Sequence, residues 1–318
     1  MNKVNSLAGT QLDKFQDPFV TASGEKRALV HLKGVKTLWF NTGTLCNITC
    51  ANCYIDSSPE NDRLVYITSS EVDGFLDQIP LRKWPTVEIG FTGGEPFMNP
   101  EIIEMTETAL RRGFNVLILT NAMRPMMRKS MQGGLLRLRE IYRDKLVLRV
   151  SLDHFDKQYH DVERGPGSWD ISLKGLRWLR DNGFNIAVAG RTVWGDSDAK
   201  SRAGYAALFR AENFAIDAHD PSQTVLFPEM DETIDVPEIT TSCWDILNKS
   251  PDDVMCSNSR MVVKRRGAQN PTVLACTLLA YSDEFELGNT LADAEKPVQL
   301  NHRHCAKFCV LGGASCSA

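Results

Sequence analysis

The segment Cys46-Asn-Ile-Thr-Cys50-Ala-Asn-Cys53 follows closely on the apolar stretch Thr37-Leu-Trp-Phe-Asn41, which predicts a short buried strand. Three thiolates on one short loop can hold three irons of a [4Fe–4S] cluster and leave the fourth iron open to a reactant. A structural zinc site needs four ligands, and no fourth Cys or His lies near this loop; the closest upstream is His31. A zinc knuckle and buried free thiols are the alternatives, and the spacing favours the cluster.

Strands and helices alternate along the chain up to about residue 230. Each predicted strand is a short apolar stretch, and each predicted helix has apolar residues at helical spacing. Six such βα units with short connections predict a parallel sheet. The predicted strands are 37–41, 87–91, 115–120, 146–151, 185–190 and 223–227, and the predicted helices are 69–79, 99–113, 126–142, 169–182 and 200–212.

Polar residues follow the carboxyl ends of these strands. In α/β barrels and open sheets, ligands bind at that end of the strands, so we expect these residues to meet at one mouth. In strand order they are the cysteine loop, then Gly93, Gly94 and Glu95, then Thr120 and Asn121, then Ser151 and Asp153, and finally Arg191.

The cysteine motif, followed by the aromatic Tyr54, and the later segment Gly93-Gly94-Glu95-Pro96 together resemble the radical S-adenosylmethionine (SAM) superfamily. The resemblance covers about residues 36–230 and implies an α/β fold, the open (β/α)6 partial TIM barrel of that family. It also implies a [4Fe–4S] cluster whose open iron is chelated by the amino and carboxylate groups of SAM. Reductive cleavage of SAM then yields a 5′-deoxyadenosyl radical, so the cofactor carries the chemistry and the protein positions it.

The same resemblance implies roles for individual residues. The three cysteines of the motif would hold the cluster. The Gly-Gly-Glu-Pro element would bind the SAM amino group, because glycines let the backbone approach a ligand and Glu95 can accept a charge-assisted bond from an ammonium. The alternatives are an ordinary glycine-rich turn and, for Asp153 and Arg191, a structural salt bridge. The expected cofactor-binding residues are Tyr54, Gly93, Gly94, Glu95, Ser151, Asp153 and Arg191.

The last quarter of the chain is rich in cysteine and resembles the SPASM/Twitch extensions of radical SAM enzymes. In those, a β-hairpin and a short helix hold one or two auxiliary [4Fe–4S] clusters. The hairpin strands are expected at 261–263 and 272–274. A full SPASM set has seven cysteines here and only five align, which favours one auxiliary cluster, although four thiolates satisfy zinc equally well. The expected ligands are Cys256, Cys276, Cys305 and Cys309, with Cys316 as a replacement for one of them and His304 as a further candidate.

Length and composition are those of a globular enzyme. The chain has 318 residues, 42% of them hydrophobic and 24% charged, and a formal net charge of −4 that argues against a nucleic-acid partner. No signal peptide and no apolar run of about 18 residues is found, so we expect a cytoplasmic protein without membrane association. The expected division is an N-terminal extension 1–35, a radical SAM core 36–230 and a C-terminal Twitch/SPASM-like domain 231–318.

Three functions remain open at this point. The first is a small-molecule enzyme that abstracts hydrogen from its substrate, with the auxiliary cluster handling electrons or substrate. The second is a maturase that installs a crosslink or thioether in a precursor peptide; the short segment before the first strand leaves little room for a leader-binding domain and favours the small molecule. The third is a non-catalytic iron–sulfur carrier, which the SAM-binding pattern disfavours. The resemblance also implies an electron donor such as flavodoxin or ferredoxin.

Overall fold

The computed structural model describes residues 13–228, 231 and 233–313. The strands are β1 (Leu29–Val30), β2 (Thr37–Asn41), β3 (Glu88–Thr92), β4 (Asn115–Thr120), β5 (Leu146–Ser151), β6 (Asn185–Arg191), β7 (Thr224–Phe227), β8 (Ser259–Val263), β9 (Thr272–Leu274), β10 (Glu286–Gly288) and β11 (Val298–Gln299). The α-helices are α1 (Ser69–Leu76), α2 (Ile79–Arg82), α3 (Ile102–Arg111), α4 (Lys129–Tyr142), α5 (Lys157–Arg164), α6 (Ser168–Asp181), α7 (Asp198–Ala211) and α8 (Cys243–Leu247), and Cys305–Leu311 is a π-helix.

The main sheet has nine strands in the order β10-β9-β8-β2-β3-β4-β5-β6-β7. Strands β2 to β7 pair in parallel with their neighbours in sequence, and helices connect each of them to the next. Because crossovers between parallel strands are right-handed, successive crossovers in one direction put these helices on one face of the sheet, as in a barrel. β7 and β10 remain as separate edges, so the barrel is open. The predicted α/β partial barrel is confirmed, and all six predicted strands form.

Packing of large aromatic residues fixes the first two barrel strands against each other. Every residue of β2 is buried. A side chain on Gly90 would meet the ring of Trp39 at 2.3 Å, so the indole occupies the space that this glycine leaves. On the opposite face, the ring centroid of Phe40 lies 5.9 Å from that of Phe91 and 6.2 Å from that of Phe75 in α1. This packing holds the start of the cysteine loop to the strand that leads into the Gly-Gly-Glu-Pro segment.

The C-terminal hairpin extends the sheet of the barrel. β8 pairs in parallel with β2, from Thr37 opposite Ser259 to Phe40 opposite Val262. β9 and β10 then add antiparallel strands, so the expected hairpin forms. The expected boundary near residue 230 therefore separates two stretches of chain that share one sheet.

Helix α5 is an element that sequence patterning did not predict, and other helices begin or end at different residues. α1 is capped by the hydroxyl of Thr68 in a capping box with Glu71, and the expected helix 69–79 stops at residue 76. α3 begins at Ile102 instead of Asn99. The buried Asn99 amide donates instead to the carbonyl oxygens of Thr42 and Ile67, at 3.2 and 2.9 Å, and so joins the segments on either side of the cysteine loop.

The N-terminal segment packs against the C-terminal part of the chain. β1 pairs with β11, and the buried guanidinium of Arg27 lies 2.6 Å from the Glu238 carboxylate. Glu238 also accepts from the backbone N–H groups of Phe15 and Ala22. Among the described residues, no helix has both the length and the apolar character needed to traverse a bilayer.

Candidate active site

One large cavity lies at the carboxyl ends of the barrel strands and encloses about 1010 Å³ of space, its open mouth included. It brings together nearly all of the residues that the sequence proposed, and Glu95 is the exception. Four charged side chains, four serine or threonine residues and an apolar set that includes Phe227, Leu278 and Phe308 also line it. The predicted residues that line it are Cys46, Cys50, Cys53, Tyr54, Gly93, Gly94, Thr120, Asn121, Ser151, Asp153 and Arg191.

The cysteine thiols lie in a poorly solvated part of this cavity. Burial raises the pKa of Cys46 to about 12 and that of Cys50 to about 11. Donors are aimed at the sulfurs: the Asn121 amide lies 3.8 Å from Cys46 Sγ, and the backbone N–H of Ser57 donates to Cys53 Sγ at 3.3 Å. Cys46 and Cys50, whose thiols are buried in this way, become thiolates when a strong cation binds them. Three cysteine side chains in one cavity are the donor set of an iron–sulfur cluster, so the residues present fit that group.

The two glycines of the second motif leave room for the backbone of the cysteine loop, which packs directly against them. A Cβ on Gly94 would lie 2.3 Å from the carbonyl oxygen of Leu45, and one on Gly93 would lie 2.5 Å from that of Gly43. The N–H of Gly94 donates to the Gly43 oxygen at 2.9 Å. The sequence analysis explained these glycines by close approach to a ligand. The structure adds a different reason, because the two motifs pack backbone against backbone.

Glu95 lies behind the cavity wall and is 2% exposed. Its carboxylate accepts from the hydroxyl of Thr120 at 2.8 Å, from the N–H of Asn121 at 2.8 Å and from the N–H of Phe97 at 3.2 Å. Burial raises the pKa of Glu95 to about 7 against the effect of these donors. Glu95 therefore joins the second motif to the end of β4. A ligand ammonium would have to bond to a carboxylate lone pair that these three donors do not use.

Two arginines and two acids form a buried ion cluster in the cavity wall. Arg164 Nε lies 2.6 Å from Asp153 Oδ2, and Arg191 Nη1 lies 3.2 Å from Glu163 Oε1. Burial acts to raise the pKa of Asp153, but ion pairing with Arg164 and then Arg191 lowers it below its ordinary value. Arg191 also donates to the carbonyl oxygen of Asn52 at 2.5 Å. The cluster thus holds the ends of β5 and β6 to the cysteine loop.

Sequence reasoning missed Arg164 and Glu163, which are carried by α5. Glu163 accepts from both the backbone N–H and the side-chain amide of Asn52, at 3.0 and 2.7 Å. The signal was present: His160, Glu163 and Arg164 have the i, i+3, i+4 spacing of one helix face, and all follow the fourth strand. The salt bridge considered as an alternative for Asp153 and Arg191 exists, but it also lines the cavity.

Four of the five described cysteines after residue 230 share a second cavity of about 410 Å³, counting its open part, and Cys243 is the fifth. Cys256, Cys276, Cys305 and Cys309 all line it, as does His304; Cys316 lies outside the described residues. Burial, with Cys276 and Cys256 adding to it, raises the pKa of Cys305 well above the ordinary value for a thiol. In the described part of the chain no group of three or more His, Cys, Asp or Glu side chains is arranged to hold a single metal ion.

Arg260 of β8 is the cation next to this second cavity. It is fully buried and donates to the carbonyl oxygens of Cys256 at 2.5 Å and Ala294 at 2.9 Å. Burial lowers its pKa to about 10, while Cys256 and Cys276 oppose that shift. The backbone N–H of Leu278 donates to Cys276 Sγ at 3.3 Å. A buried guanidinium and an N–H···S bond both stabilise negative charge on these sulfurs.

A family model described as the Radical SAM superfamily matches residues 40–198, half of the 318-residue chain. The chain therefore belongs to the radical SAM superfamily and is a radical SAM enzyme. Members of this family use a [4Fe–4S] cluster and SAM, which agrees with the three-cysteine cavity.

Three known proteins show how far the likeness extends. The antilisterial bacteriocin subtilosin biosynthesis protein AlbA of Bacillus subtilis (strain 168) is 35% identical over 147 residues, which are 45% of this chain and 30% of AlbA. An AdoMet-dependent heme synthase of Methanosarcina barkeri (strain Fusaro) is 27% identical over 147 residues, 45% of this chain and 38% of that protein. Streptococcus suis SuiB bound to precursor peptide SuiA shares the fold, with a TM-score of 0.60 at 12% identity over 84% of this chain and 66% of SuiB. The two sequence matches thus span about a third of each relative.

Proposed function

We propose that this radical SAM enzyme modifies a peptide. The observation that carries the proposal is the joint occurrence of the three-cysteine cavity with a cysteine-lined tail cavity in one continuous sheet. The same barrel is found in SuiB, which was solved with a precursor peptide, and the sequence match to AlbA lies in the barrel region. These two likenesses favour a peptide over the small-molecule substrate that the short N-terminal segment had suggested.

The residues of the first cavity divide into three roles. Cys46, Cys50 and Cys53 hold the [4Fe–4S] cluster, which when bound with SAM supplies the radical chemistry. The packed glycines of the second motif fix the position of the cysteine loop, and Tyr54 and Ser151 line the space beside it. The ion cluster presents guanidinium groups to the cavity, and a guanidinium suits the SAM carboxylate, because it makes paired charge-assisted bonds.

The tail cysteines hold an auxiliary [4Fe–4S] cluster in this proposal. Cys256, Cys276, Cys305 and Cys309 surround a cavity instead of converging on one point, as a multi-iron group requires. The buried Arg260 and the N–H of Leu278 stabilise the charge of such a group. The tail hairpin belongs to the same sheet as the barrel, so this auxiliary cluster is suited to exchange electrons with a substrate that binds between the two sites.

A small-molecule substrate is the second candidate, and one comparison favours it. The barrel region also matches an AdoMet-dependent heme synthase at 27% identity. The electron donor, of flavodoxin or ferredoxin type, would be the same for both functions.

The experiment that separates the two candidates measures peptide dependence. The chain is coexpressed with each short open reading frame that neighbours its gene, and the peptides are analysed by mass spectrometry. A mass loss of about two hydrogens or another fixed change, absent when Cys46, Cys50 and Cys53 are all replaced by Ala, supports the peptide substrate. Unchanged peptides together with 5′-deoxyadenosine formation driven by a small metabolite would show the second candidate instead.

A further inference from the structure

The two cavities are separated by a wall of three apolar side chains, Phe227, Leu278 and Phe308, which we call the apolar wall. Leu278 lines both cavities, and Phe227 and Phe308 line the larger one. Phe308 lies in the π-helix between Cys305 and Cys309, both of which face the tail cavity. The apolar wall is therefore the part of the active-site cavity that lies towards the tail cysteines.

The fold builds this wall from the free edge of the barrel. Phe227 is the last residue of β7, the edge strand, and its backbone pairs with Arg191. The rings of Phe227 and Phe308 stack with centroids 5.6 Å apart and an interplanar angle of 28°. Phe308 is 1% exposed, whereas Phe227 is half-buried. The tail thus covers the open side of the barrel with aromatic surface.

The charged groups of the larger cavity are already paired. Among the described residues that line it, the charged ones are Asp153, Glu163, Arg164 and Arg191, and they form the ion cluster. A charged substrate side chain placed at the apolar wall would lose its hydration without gaining a free partner, which is costly. An apolar side chain in the same place would bury surface against two aromatic rings and a leucine.

Building on the proposed function, we propose that the apolar wall binds the substrate side chain that reacts, and that this side chain is aliphatic or aromatic. In the step concerned, a C–H bond of that side chain breaks homolytically. The hydrogen atom passes to the 5′-deoxyadenosyl radical to give 5′-deoxyadenosine, and the unpaired electron stays on the substrate carbon. Phe227 and Phe308 then determine specificity through their contact with that side chain.

The test follows the hydrogen atom. The reconstituted full chain is supplied with SAM, dithionite and peptides Ser-Gly-X-Gly-Ser in which X is carbon-deuterated Leu, Phe, Asp or Lys. The deuterated fraction of the 5′-deoxyadenosine is measured by mass spectrometry, and parallel incubations without peptide measure the uncoupled SAM cleavage that would dilute this fraction. We expect deuterium from the Leu and Phe peptides to exceed that from the Asp and Lys peptides by about tenfold or more. The Kd of the labelled peptides, measured by fluorescence anisotropy without SAM, should follow the same order.

Variants of the apolar wall sharpen the test. Phe227→Gln should lower the deuterated fraction from the Leu peptide about tenfold, whereas Phe227→Leu should keep it within about twofold, because one apolar contact distinguishes substrates by such factors. Phe19→Gln makes the same chemical change at a residue that is 64% exposed and lies outside both cavities, so it is the matched control.

Two results would overturn the proposal in different ways. Equal transfer from the Leu and Asp peptides, unaffected by Phe227→Gln, would refute the apolar specificity and leave the peptide substrate standing. Absence of deuterium transfer from every peptide would refute the peptide substrate, and the apolar specificity with it.

Discussion

The hydroxyl of Tyr281 donates a hydrogen bond to the carbonyl oxygen of Ile55 at 2.8 Å. Tyr281 belongs to the tail, and Ile55 follows the cysteine motif by two residues. The amide of Asn61 donates to the same hydroxyl at 3.2 Å, and the Arg63 guanidinium lies 3.5 Å from the centre of the ring. The tail is therefore joined to the segment that follows the cysteine loop.

Tyr281→Phe removes this hydroxyl and leaves the Ile55 carbonyl and the Asn61 amide without that partner. We expect a loss of about 0.5–1.5 kcal/mol in the free energy of unfolding and faster loss of iron from the first site during chelator challenge. Denaturant unfolding and iron release give the two readouts. Tyr142→Phe, at the end of α4 and outside both cavities, makes the same change elsewhere and should have little effect.

Replacing Cys46, Cys50 and Cys53 together by Ala should abolish reductive SAM cleavage, because no other thiols line the larger cavity among the described residues. The tail site should still load iron. The measurements are 5′-deoxyadenosine after dithionite reduction and iron content of the purified protein. Persistence of 5′-deoxyadenosine in the triple variant would show that the cluster is held elsewhere.

Gly94→Ala should destabilise the protein and impair cluster loading, since the new methyl group would lie 2.3 Å from the Leu45 carbonyl oxygen. Backbone on both sides prevents an easy adjustment, so we expect a loss of about 2 kcal/mol or more. Gly74→Ala is the matched control, because nothing lies within 4 Å of its added Cβ in α1. That control should gain about 0.5–1 kcal/mol. Equal stability of the two variants would contradict the packing between the two motifs.

Anaerobic reconstitution should load about eight irons per chain, corresponding to two thiolate-held four-iron clusters. Double replacement of Cys305 and Cys309 by Ala should halve this number, because both residues line the tail cavity. Metal analysis of the wild type and the double variant tests the expectation. Four irons accompanied by one zinc in the wild type would assign the tail to zinc. Product formation at the normal rate without the tail metal would give the tail a purely structural role.

We expect the free energy of unfolding to decrease in mild acid because of His160. It is fully buried, and neither ring nitrogen has a hydrogen-bond partner among the described residues. Burial, with the Arg164 charge adding to it, lowers its pKa to about 4 from 6.5. As pH falls from about 6.5 to 4, the unfolded chain binds a proton at His160 that the folded chain does not bind. The contribution of neutral His160 to the free energy of unfolding is therefore fully present above about pH 6.5 and is lost as pH falls to about 4.

His160→Phe should keep the packing on the Trp169 ring, whose centroid lies 5.5 Å from that of His160. The variant should be more stable than the wild type, and the difference should grow on going from pH 7 to pH 5. Denaturant unfolding of both proteins at the two pH values measures it. A difference that stays constant with pH would mean that folding does not lower the pKa of His160.

Local sequence signals predicted the barrel well, because buried parallel strands are short apolar stretches that need no knowledge of their partners. Thr37–Asn41 and Asn115–Thr120 are found at the predicted bounds. What could not be predicted depends on contacts between distant segments. The pairing of Phe40 with Val262 joins residues far apart in sequence, and Arg164 faces the cavity only because α5 turns that face towards Asp153. The packing of Gly94 against the cysteine loop could not be predicted for the same reason, since its nearest neighbour belongs to another motif.

The parallel pairing of β8 with β2 has a consequence for any attempt to work with part of the chain. β2 is an interior strand because β8 occupies one of its sides, and its hydrogen-bonding groups on that side pair with residues from Asn258 onwards. A fragment that stops near residue 230 would present the apolar segment Thr37–Asn41 as a bare edge, and such an edge recruits strands from other copies. We expect that fragment to accumulate as insoluble aggregate, so the minimal catalytic unit of this protein extends beyond its barrel.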